Sequence, residues 1–74
     1  MAHSINKMPL SSMQIASQHM EEGRFEEAEQ IYLEILDENP EQHEALFNMA
    51  VLSNLQKNYP AAIAYYRQVL ALPV

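Results

Sequence analysis

Cysteine is absent from the 74-residue chain, so neither a disulfide framework nor a thiolate metal site is open to it, and redox compartment cannot be read from cysteine usage. Glycine occurs once, at Gly23, which argues against a loop-rich scaffold or a glycine-rich phosphate loop. Cations are scarce as well. Lys7, Arg24, Lys57 and Arg67 stand against ten carboxylates, for a formal net charge of −6. Nucleic-acid binding requires clustered Lys and Arg, so that balance argues against a nucleic-acid partner. No apolar run reaches the roughly 18 residues a bilayer span needs. The first ten residues also lack the charged start and apolar centre of a secretory signal, and the expected setting is cytoplasmic, with no membrane partner.

What is present is a folded, helical composition. About half of the residues are apolar, enough for one core but no more than one domain, at a size where that core leaves only marginal net stability. The acids are unevenly spread. All ten lie between Glu21 and Glu44, and from Ala45 onward the chain holds two basic residues and no acid. One flank is therefore acidic and the other nearly neutral.

Residues 1–10 show no sustained period and read as an N-terminal tail, with Ile5 or Met8 as its only anchors. Ser11 followed by Gln14 has the spacing of a capping box and predicts a first helix over about 11–22, which Gly23 stops in a left-handed conformation. A second helix is expected over about 24–37, with Phe25, Ala28, Ile31, Tyr32, Ile35 and Leu36 on one stripe and most acids outside it. Asn39 then reads as the cap, and Pro40 as the first residue, of a third helix running to about residue 56. Its apolar residues are so widely spread that it must be covered on more than one side. Lys57 and Asn58 take the next turn, with Asn58 the expected positive-φ residue. A fourth helix follows over about 60–72, closed by Pro73.

The second half repeats the first at a spacing of 34 residues. Ile15 pairs with Met49, Ala16 with Ala50, Phe25 with Tyr59, Ala28 with Ala62, Tyr32 with Tyr66, Ile35 with Val69 and Leu36 with Leu70. A helix-turn-helix repeat of this length resembles the tetratricopeptide repeat (TPR). The resemblance covers two repeats, about 9–42 and 43–74, within a single domain over 11–74, and reads as the amino-terminal part of a longer repeat protein. It implies an all-α fold, a right-handed α-solenoid of antiparallel helix pairs. The alanines let paired helices approach closely. Several family positions depart from the usual pattern. Ser12 and Leu46 stand where the family has an aromatic, as do His19 and Ser53 later in the same helix, while Ile35 and Val69 replace a small residue.

The resemblance implies a function of holding protein or peptide, non-catalytic, in the concave groove lined by the first helix of each repeat. Carried over by position, the groove residues are Met13, Gln14, Ser17, Met20 and Glu21 with Glu44, Phe47, Asn48, Val51, Asn54 and Leu55. Asn48 is the residue expected to bind a peptide backbone, and Met13, Met20, Phe47 and Val51 to receive apolar side chains. Some members clamp the carboxyl terminus of a chaperone with Lys, Arg and Asn. Met13 and Ser17 occupy clamp positions here, which argues against that use.

Two alternatives stand beside the groove. Ala61, Ala64, Tyr65, Val69 and Leu72 make the outer side of the last helix apolar, so a homo-oligomer or following repeats are expected to cover it. The chain can equally be an N-terminal accessory domain of an enzyme such as a transferase. No nucleophile–base arrangement is present, and neither His19 nor His43 has a second imidazole at metal-ligand spacing. No cofactor, metal or catalytic residue is therefore assigned.

Overall fold

Ser11 starts the first helix by reciprocal capping: the Gln14 amide donates to Ser11 Oγ at 3.1 Å and the Ser11 amide donates to Gln14 Oε1 at 2.8 Å. In the computed structural model, which describes residues 11–73, four helices follow in order. They are α1 (Ser12–Glu21), α2 (Phe25–Glu38), α3 (His43–Leu55) and α4 (Tyr59–Ala71). There is no strand among the described residues. The N-terminal tail expected over residues 1–10 lies outside them, as does Val74.

The turns within the two helix pairs are built alike. After α1 the Gly23 amide donates to the Met20 carbonyl and the Arg24 amide to the His19 carbonyl, the two bonds of a Schellman motif around a left-handed residue. After α3 the Lys57 amide donates to Asn54 and the Asn58 amide to Ser53. Gly23 has φ 80° and Lys57 has φ 63°. The left-handed residue of the second turn is thus Lys57, not Asn58 as expected. Asn58 is instead needed at φ −93°, where its side chain accepts from the Ala61 amide and caps α4. Pro60 lies in the first turn of α4 as its missing amide hydrogen allows. Leu72, immediately before Pro73, turns extended at ψ 144° and ends the helix.

The connection between repeats differs from its expected form. Asn39 and Pro40 do not open α3. The Asn39 side chain accepts from the Glu41 amide and its carbonyl accepts from the Gln42 amide, closing a separate turn. Gln42 then goes extended, and its Oε1 accepts from the Glu44 and Ala45 amides. Gln42 is the true cap, three residues later than the Asn-Pro signal suggested.

The helices pack in sequence, α1 on α2, α2 on α3 and α3 on α4. Ala16, Ala28, Tyr32, Ala45, Met49 and Leu52 form one buried cluster. Half-buried Met13, Met20, Phe25, Ile31, Ile35, Leu36 and Tyr65 lean on it. Small residues at Ala16 and Ala28 allow the first pair to close, as Ala50 and Ala62 do in the second, all four being buried. α3 is covered on two sides, burying Ala45, Leu46, Met49, Ala50, Leu52 and Ser53. The result is the α-solenoid of antiparallel helix-turn-helix units that the repeat predicts.

Candidate functional site

The helices α1 and α3 are the first of each pair, and a cleft is lined by residues of α1 together with the start of α3. It has a volume of about 240 Å³ and is lined by Met13, Gln14, Ser17, Gln18 and Glu44. Met13 supplies an apolar wall, since it is half-buried against the core. Gln14 and Gln18 present amides one turn apart, and Glu44 offers a carboxylate at the start of α3. Ser17 is partly engaged, with its Oγ 3.2 Å from the Tyr32 hydroxyl.

The groove residues expected from the sequence divide. Met13, Gln14, Ser17 and Glu44 come together in this cleft. Met20, Asn48 and Val51 are half-buried and do not line it, while Leu55 is exposed. Phe47 is 45% exposed and meets Tyr66 of α4 edge to face, with ring centroids 5.9 Å apart and planes at 67°. Its ring therefore belongs as much to the α3–α4 contact as to the groove. Gln18 was passed over in the sequence. Its register partner is the buried Leu52, which disguised it, although its spacing of four from Gln14 marks the same face.

The α4 residues expected on an outer face divide as well. Tyr65 leans on the core, and Ala61, Val69 and Leu72 are half-buried as well, leaving only Ala64 exposed. The exposed large apolar residues of α4 are Tyr59, Ile63, Tyr66 and Leu70. Burial raises the Tyr65 hydroxyl pKa above its ordinary value, and the negative charge of Glu29 on α2 adds to the rise.

Two larger depressions carry less. One of 460 Å³ is lined by Leu33, Glu34, Asp37 and Glu38, all from α2, and so is a dent in one helix surface. The other, of 420 Å³, lies between α1 and α2 against His19, Glu26, Glu27, Gln30 and Ile31. His19 Nδ1 is buried without a hydrogen-bond partner. Among the described residues no group of three His, Cys, Asp or Glu is placed to hold a metal ion, and no helix is long and apolar enough to cross a membrane.

Neither the curated proteins nor the solved structures include a significant match to this chain. A family model does match, described as tetratricopeptide repeat, over residues 13–73. That span contains both helix pairs, both Schellman turns and the cleft between the leading helices, and the chain belongs to the tetratricopeptide repeat family.

Proposed function

We propose that the chain holds a segment of a partner protein in the cleft between α1 and α3, without catalysing any reaction. Repeats of this family are in general protein–protein interaction modules. The observation that supports this particular site is that the cleft draws residues from both repeats, Met13, Gln14, Ser17 and Gln18 from one and Glu44 from the other. An extended peptide suits its chemistry. The Gln14 and Gln18 amides each donate and accept and so pair with a peptide backbone, Met13 offers an adaptable apolar contact, and Glu44 favours a basic side chain.

The test is a peptide-display selection on the full chain, with binders mapped by NMR shift perturbation. Perturbations centred on Gln14, Gln18 and Glu44, and loss of binding in Gln14→Arg combined with Gln18→Arg at unchanged helicity, are the expected results. Binding that survives both substitutions, or that maps to the acids of α2, removes the cleft from the account.

A further inference from the structure

The last helix carries an uncovered apolar seam. Tyr59, Ile63, Tyr66 and Leu70 are all exposed, Leu70 at 84%, and they succeed one another at intervals of four, three and four residues. That is the spacing at which helices mesh along a common seam, each side chain fitting between residues of the facing helix. The repeat shows what such a face does when it is covered. Tyr32, the register partner of Tyr66, is fully buried, and Leu36, the partner of Leu70, is half-buried.

Charge and register narrow the occupant. All ten carboxylates precede Ala45 and α4 carries one charge, Arg67, so the seam offers no attraction to a strongly charged partner. A second copy cannot cover it by laying down its α1 as a further repeat. The buried α3 residues Ala45, Leu46, Met49, Ala50, Leu52 and Ser53 correspond in register to Ser11, Ser12, Ile15, Ala16, Gln18 and His19, and four of those six are polar. Among the described residues, the surface that matches the seam is the seam itself, which is apolar, carries no carboxylate and is remote in sequence from the acids that would repel a second copy.

We propose that α4 pairs with α4 of a second copy of this chain, antiparallel across a two-fold axis. Tyr59 of one copy then meets Leu70 of the other, and Ile63 meets Tyr66, so each contact sets a ring against an aliphatic side chain. The helix dipoles oppose one another; a parallel pair would align them and stack like on like. Phe47, in contact with Tyr66, extends the patch. Each copy contributes four seam side chains with Phe47 beside them, well short of the roughly 20–30 residues a side of a standard interface, so the dimer is concentration-dependent.

Sedimentation equilibrium on the full chain tests this. Between micromolar and millimolar concentration the mass should rise from 8.5 kDa towards twice that value, and Leu70→Glu and Ile63→Glu should each hold it at 8.5 kDa. Both side chains are exposed, so the helical circular dichroism signal should not change. Both also lie outside the α1–α3 cleft, so the result is independent of whether a peptide binds there. Because the chain has no cysteine, Tyr59→Cys and Leu70→Cys variants can be mixed and oxidised to read orientation, the antiparallel pair giving mainly the mixed disulfide. A wild-type chain that stays monomeric at millimolar concentration overturns the proposal and leaves the seam to another protein or a further chain segment. A dimer that survives Leu70→Glu, or that cross-links chiefly Tyr59→Cys to itself, overturns it too.

Discussion

The hydroxyl of Tyr32 sits 3.2 Å from Ser17 Oγ, joining α1 to α2 beneath α3 at a side chain with no solvent exposure. Tyr32→Phe removes this bond and strands a part-buried serine hydroxyl, and should cost about 1 kcal/mol. Tyr32→Ala removes the ring from the core as well and should cost about 3–5 kcal/mol, enough to unfold most of so small a domain. Tyr66→Ala, at the register position that is 36% exposed, should cost clearly less. Urea denaturation of the three variants measures the contrast.

Lys57 holds a left-handed conformation that Gly23 adopts without strain. Lys57→Gly relieves about 1–2 kcal/mol of backbone strain and loses about 0.4–1 kcal/mol to the freer unfolded chain, for a net gain of roughly 0.5–1 kcal/mol. Gly23→Ala should destabilise by about 1 kcal/mol through conformation alone, because an added Cβ meets nothing within 4 Å. A rise in melting temperature for the first and a fall for the second is the expected pair of results.

Tyr65 couples folding to alkaline pH. Its pKa is raised above 10.0 by burial first and Glu29 second. The folded state therefore keeps its proton more tightly than the unfolded chain does. The associated stability is fully present below the unfolded pKa and is lost as pH climbs from there through the folded value. Tyr65→Phe should flatten the decline in stability above about pH 10, and Glu29→Gln should flatten it less. Denaturant midpoints measured from neutral to alkaline pH give the slopes.

Gln42 rather than Asn39 caps α3. Gln42→Ala should therefore cost about 0.5–1 kcal/mol. Asn39→Ala, which loosens only a surface turn held by a 3.3 Å contact, should cost less. The order of the two midpoints in urea decides the point.

Much of the fold could be read from side chains that appear twice. Ala16, Ala28 and Tyr32 have partners of the same chemistry 34 residues on, which marks them as packing positions, and all three are fully buried. What escaped had no side-chain signature. Lysine carries no preference for positive φ, so the side chains alone point to Asn58, whose own conformation is claimed by capping α4. Asn-Pro signals a turn and a helix start equally well, and only the extended backbone of Gln42 separates the two here. The cleft was half legible, because position along α1 identifies Met13, Gln14 and Ser17 but not which residues of α3 face them. For α4, apolar residues occur on two sides of the helix, and a helical pattern cannot say which side its neighbours occupy. Tyr65 turned inward and Ile63 outward for reasons of topology, not hydropathy.

A helix gripped along one side is also the helix that lets go first. α1, α2 and α3 share the cluster that holds Tyr32, and among the described residues α4 reaches that cluster through Tyr65. Stability in such an array accrues from neighbour to neighbour, so an excursion that peels α4 away needs less than the opening of the whole chain. Its backbone amides should exchange with deuterium sooner than those of α3. If copies meet along the seam, that exchange slows as protein concentration rises, and the timing of a single helix reports on the company the chain keeps.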